Sequence, residues 1–210
     1  MRLPQRLLVV LDRAAVSPLT LREMGQQLHH GGSRWWHLRD AAVSQNEWGQ
    51  LVDEARQRSA GWRAVFNGGG EWAFQIGIGA HFKASSMQPP TERWNLHGRS
   101  AHDEEEVMTA LRHRAHYIVV GPLFVTNSKP DVEPLGLARL SRLVEVASGI
   151  PVLAIGGITP SRVQEVLDAG AYGVAVRSGI AMQSDPESAT REFLEALDEA
   201  VGSPDDRREP

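Results

Sequence analysis

The sequence predicts a single (β/α)8 (TIM) barrel over residues 1–202. Three observations predict it. Short apolar runs alternate eight times with longer segments whose apolar residues recur at helical spacing. Alternation of this kind implies parallel strands joined by right-handed crossovers. Glycine-bearing turns follow the last two runs, where barrels of this class commonly hold phosphate. At 210 residues the chain fits one sizeable core, and a tight eight-unit barrel can close on roughly 200. An open flavodoxin-like sheet is the rival, but it usually stops at about five or six units.

The candidate strands, in order, are Leu7–Leu11, Arg34–Leu38, Arg63–Asn67, Ala80–Phe82, Asn95–His97, Tyr117–Gly121, Val152–Ile155 and Gly173–Val176. Several are β-branched or aromatic and lack strict alternation, as parallel strands covered on both faces should. Helical spacing marks Leu19–His30, Gln45–Ser59, Asp103–Arg114, Leu137–Ser148 and Pro160–Ala169. The Asp103–Glu106 run places acids at a helix start, where the dipole favours them. Thr159 reads as an N-cap, with Pro160 in the first helical position and Gly170 at the close. The fourth and fifth units, Gly77 to Gly98, carry the weakest pattern, with Pro89-Pro90 between them. The tail, 203–210, is charged and proline-flanked, and is expected to be disordered.

Charge excludes some partners. With 22 basic and 26 acidic residues interspersed, net −4, no concentrated basic face is available for nucleic acid or a membrane surface. The absence of cysteine rules out disulfides, thiolate metal sites and a cysteine nucleophile. No run approaches the roughly 18 apolar residues of a span. The opening MRLPQRLLVVLDR reads as a strand rather than a secretory peptide, so a cytoplasmic protein is expected.

The seventh strand ends in Gly156-Gly157-Ile158-Thr159-Pro160, and the eighth in Val176-Arg177-Ser178-Gly179. Glycine lets the backbone approach an anion closely, and the helix starts that follow offer unpaired N–H groups. These two turns are the candidate phosphate site; the plain alternative is two tight strand-to-helix turns. After the sixth strand, Thr126-Asn127-Ser128-Lys129 is rich in hydroxyls and ends in one of only two lysines, the other being Lys83. Lys129 is placed to reach an anion as a point charge.

The segments GPLFVTNSKPDVEPLGL, IPVLAIGGITPSRVQEVLDAGAYGVAVRSGI and HGRSAHDEEEV together resemble the thiamin phosphate synthase/TenI family. So do the first strand Val9-Val10-Leu11-Asp12-Arg13 and the second Trp36-His37-Leu38-Arg39-Asp40. The resemblance implies a (β/α)8 barrel binding the thiazole phosphate intermediate of thiamin synthesis. By match, it assigns phosphate contacts to Gly157, Val176, Arg177 and Ser178, with Gly156 beside them. It assigns thiazole and pyrophosphate contacts to Thr126, Ser128 and Lys129, a phosphate contact to Ser100, and the second-strand arginine to Arg39.

Departures from the synthase pattern are as informative. Synthase chemistry needs Mg2+ to neutralise pyrophosphate, held by carboxylates. The family's third strand ends Asn-Asp, whereas this chain has Asn67-Gly68, and the second metal acid gives way to Lys83-Ala84-Ser85-Ser86. A family cation after Arg39 is replaced by Ala41. Asn67 remains a candidate substrate contact, and no metal or other cofactor is expected. The same positions resemble the TenI branch, whose members tautomerise a thiazole by proton transfer. That branch's catalytic histidine position holds Pro122 here.

Three other histidines, His37, His81 and His102, sit near strand ends and are candidates for the acid/base, the first two preferred. His102 also suits a loop hydrogen-bonding role. Most of the tryptophans are expected in the core or between helices and barrel, with Trp36 or Trp72 a candidate to narrow the mouth instead. The leading expectation is a TenI-like thiazole tautomerase binding a small phosphorylated thiazole, with a homodimer as the default assembly. The alternatives are a thiamin phosphate synthase with a substitute metal site, and a non-catalytic sensor of thiazole or thiamin phosphates.

Overall fold

Leu7-Leu8-Val9-Val10-Leu11 is apolar throughout because both faces of a parallel strand are covered. In the computed structural model, which describes residues 3–40, 42–86, 94–126 and 130–202, all five are buried. The chain runs β1 (Leu7–Leu11), α1 (Arg13–Val16), α2 (Leu21–His30), β2 (Trp35–Leu38), α3 (Gln45–Arg58) and β3 (Arg63–Asn67). It continues through α4 (Glu71–Gln75), β4 (Gly79–Phe82), β5 (His97–Ala101), α5 (Glu104–Arg112), β6 (Tyr117–Val120) and α6 (Gly136–Val146). The last elements are β7 (Val152–Ile155), α7 (Val163–Asp168), β8 (Gly173–Val176), α8 (Ser178–Ala181) and α9 (Pro186–Gly202). The tail at 203–210 lies outside the described residues.

The sheet closes. β1 pairs in parallel with β2 on one side and with β8 on the other, Leu7 opposite Val174 and Val9 opposite Val176. That closure eliminates the open-sheet rival. Alternate residues separate two cores: Leu8, Val10, Trp35, Val65, Tyr117 and Leu153 fill the barrel, while Leu7, Val9, Leu11 and Trp36 pack outward with the helices. Capping boxes start α2 (Thr20 with Glu23) and α3 (Ser44 with Glu47). Asp103 caps α5 by accepting from the Glu106 N–H.

The fifth strand is His97–Ala101, not Asn95–His97. Its residues lack an apolar pattern because specific partners, rather than hydrophobic burial, hold them. Gly98 lies opposite Tyr117, and a Cβ there would come within 2.1 Å of the phenol ring, so the tyrosine occupies that space. Arg99 is buried, donating to the Ala84 and Ser86 carbonyls and lying 3.1 Å from His113 Nδ1. The shift places Ser100 within the strand and His102 just beyond it.

Thr159 is the N-cap with Pro160 in the first turn, as the sequence predicts, though its hydroxyl bonds Ser161 Oγ at 3.0 Å rather than a backbone N–H, and the helix opens as a 3-10 turn at Pro160–Arg162. The reading of the tryptophans is corrected. Trp36 packs outside the barrel with its Nε1 on Ser33 Oγ at 2.9 Å, and Trp72 packs edge-on to Phe66. Neither lines the mouth.

Candidate functional site

A cavity of about 1120 Å³ opens at the C-terminal ends of the strands, the face where barrels of this class carry chemistry. It gathers His37, Arg39, Asn67, His81, Ser100 and His102 from β2 to β5. Thr126, Gly156, Gly157, Val176, Arg177 and Ser178 line it from the other side. Ser128 and Lys129 lie outside the described residues.

Gly156 and Gly157 both take positive φ, +103° and +65°. A Cβ on Gly157 would meet the Val125 carbonyl at 2.5 Å, so this close turn requires glycine. Among the described residues, no protein acceptor takes the N–H of Gly156, Gly157, Ser178 or Gly179. Two turns on adjacent strands thus bring four such amides to one cavity. Val176 points its side chain into the outer core, leaving its backbone to line the site.

Across the cavity, His81 is held at both ring nitrogens, Nδ1 by Tyr117 Oη at 3.0 Å and Nε2 by Ser100 Oγ at 2.9 Å. Burial, with the charges of Arg39 and Arg99, lowers its pKa to about 3. His37 packs against it with the ring planes tilted by 45° and the centroids 4.5 Å apart. Burial, then His81 and Arg39, hold His37 well below its ordinary value, with the Asn67 side chain opposing. Burial pushes the Tyr117 phenol well up. All three are therefore neutral near pH 7. His102 lies at the rim and is half-exposed, and Glu106 accepts from its backbone N–H at 2.6 Å while lying 2.9 Å from Nδ1. Nε2 remains as the acceptor when the proton sits on Nδ1.

The sequence reading missed two site residues. Asp12, after β1, receives the Arg177 guanidinium as a fork, Nε to Oδ2 at 2.6 Å and Nη2 to Oδ1 at 2.8 Å. Burial alone would raise the Asp12 carboxyl, but the Arg177 bond, the Ala15 N–H and the charges of Arg177 and Arg39 bring it below its usual value. Tyr117 was legible only as an apolar strand residue. A glycine facing it on the neighbouring strand was the available signal for Tyr117, whereas an ion pair spanning 165 positions leaves none.

Mg2+ would need hard carboxylate ligands here. The ends of β3 and β4 present Asn67, Lys83 and Ser85 to the cavity instead. Among the described residues no cluster of three histidine, aspartate or glutamate side chains could hold a metal. The described residues do not fit that ion. Also among the described residues, no helix is long and apolar enough to cross a membrane.

The fold and cavity define a (β/α)8 barrel with its site at the C-terminal mouth. A profile described as thiamine monophosphate synthase (TMP-TENI) matches residues 7–180, and the chain belongs to this family, whose members are enzymes of thiamin biosynthesis. A thiamine-phosphate synthase of Chloroflexus aurantiacus is 32% identical over 199 residues, 90% of each chain. One from Geobacillus kaustophilus is 45% identical over 101 residues, 48% of this chain and 46% of that protein, so this chain spans about half the length of that relative. The solved thiamine phosphate pyrophosphorylase of Pyrococcus furiosus superposes with a TM-score of 0.81 at 26% identity, covering 95% of this chain and 98% of that one.

Proposed function

We propose that this protein binds a phosphorylated thiazole intermediate of thiamin synthesis in the barrel mouth and moves a proton on its ring, a tautomerisation needing no metal. The observation that carries the reading is the residue set at the β3 and β4 ends, where Asn67, Lys83 and Ser85 replace the carboxylates that pyrophosphate-releasing chemistry requires of its metal site. The phosphoryl group lies against the amides of Gly156, Gly157, Ser178 and Gly179.

His102 serves as acid/base in this reading. Its Nδ1 is oriented by the Glu106 carboxylate, leaving Nε2 to take and return the proton. This reverses the order expected from sequence, because a histidine held near pKa 3, as His81 is, makes a poor base at neutral pH. His81 and Tyr117 instead orient the Ser100 hydroxyl toward the ligand, and His37 packs against them.

A second reading is thiamin phosphate synthesis, and the names of the Chloroflexus and Pyrococcus relatives favour it over the first. Two assays run in sequence separate the readings. The protein is mixed with the non-aromatic thiazole carboxylate phosphate and its ultraviolet spectrum followed in EDTA. Rapid aromatisation supports the tautomerase. Its absence, with thiamin phosphate appearing once the pyrimidine pyrophosphate and Mg2+ are added, replaces it with the synthase. Silence in both assays, with calorimetric binding of the thiazole phosphate, leaves a sensor.

A further inference from the structure

We propose that Asp12 and Arg177 form a charge-neutral pair that sets how tightly the β8 turn holds an anion, Asp12 acting as the positioning residue that keeps the Arg177 guanidinium off the ligand. This rests on reading the β7 and β8 turns as the phosphoryl site.

Arg177 immediately precedes Ser178 and Gly179, whose N–H groups have no protein acceptor among the described residues, and its side chain lines the same cavity. Pointed at the ligand, that guanidinium would bring a full positive charge to the amides. It is turned instead onto Asp12, through two bonds of 2.6 Å and 2.8 Å, with side chains only 20% and 15% exposed. The carboxylate is fixed in turn, because Oδ1 also accepts the Ala15 N–H at 2.9 Å and caps α1. Nη1 of Arg177 lies 3.5 Å from the Met182 sulfur, a weak acceptor. The pair crosses the seam between β1 and β8, so it belongs to the closed ring rather than to one loop.

A neutral pair beside neutral amides gives a site that holds phosphate by geometry and lets it go. Removing either partner unmasks a charge of opposite sign a few ångströms from the anion. At the effective dielectric of a half-buried site, one such charge changes anion affinity by about tenfold.

The test is titration of the full chain with inorganic phosphate, followed at the Gly157 and Ser178 amide resonances. Asp12→Asn keeps the side chain's shape and its capping oxygen, and is expected to tighten the dissociation constant about tenfold. Arg177→Met leaves Asp12 unpaired and is expected to weaken it by a similar factor, with the double variant between the two. A purely structural pair would weaken binding in both single variants, and that result overturns the proposal. Because Asp12→Asn keeps the oxygen that accepts the Ala15 N–H and gives up the Arg177 Nε bond, its sign alone decides the matter if Arg177→Met fails to fold. Failure of the wild type to shift either amide would instead refute the phosphoryl site itself.

Discussion

His81 makes the fold acid-sensitive in a way that can be calculated. Its pKa falls from an ordinary 6.5 to about 3 in the folded protein, so between those values the unfolded chain holds a proton that the folded chain does not. Stability from this group is therefore whole above about pH 6.5 and drains as the pH falls toward about 3. At about 1.4 kcal/mol per pH unit, the loss by about pH 4.5 is about 3 kcal/mol. That is a large share of the roughly 5–15 kcal/mol of a typical domain. His37 adds in the same direction. His81→Gln removes the titration while offering a hydrogen-bonding amide to Tyr117 and Ser100. Urea unfolding of both proteins at about pH 7.5 and 4.5 measures the effect. Whatever the variant loses at the higher pH, its drop between the two should be smaller than wild type's by about 3 kcal/mol. An equal drop in both proteins would refute the assignment of His81 as a buried neutral imidazole.

Gly98→Ala should cost about 3 kcal/mol, since the new Cβ would sit 2.1 Å from the Tyr117 ring; thermal unfolding reads this, and a loss under about 1 kcal/mol would contradict the packing described. His102→Gln should lower kcat for aromatisation by about a hundredfold with little change in KM, whereas unchanged kcat would remove His102 from the chemistry. Gly157→Val should weaken thiazole phosphate binding strongly and the unphosphorylated alcohol little, because a side chain at φ +65° collides with the Val125 carbonyl; calorimetry on both ligands distinguishes this from general disruption.

Strands such as Leu7–Leu11 were legible because burial on both faces leaves an apolar run, while Gly79–Phe82 carries a weaker pattern. The fifth was not, because His97-Gly98-Arg99-Ser100-Ala101 is held by partners on other elements: Tyr117 over Gly98, and the Ala84 and Ser86 carbonyls on Arg99. The turns at 156–157 and 178–179 could be read locally, since their backbone geometry follows from consecutive residues. The roles of the histidines could not. Sequence places His37, His81 and His102 near strand ends, but only the fold buries the first two against each other, holds His81 at both ring nitrogens and leaves the third on a carboxylate. The fork from Arg177 to Asp12 likewise exists only because the ring closes β8 onto β1.

The most direct test is a crystal structure of the protein grown with the thiazole phosphate. The account places phosphoryl oxygens about 3 Å from the Gly157 and Ser178 nitrogens, with Arg177 still on Asp12. A phosphoryl group seated instead by Arg39 and Lys83, with those amides facing only solvent, would contradict it.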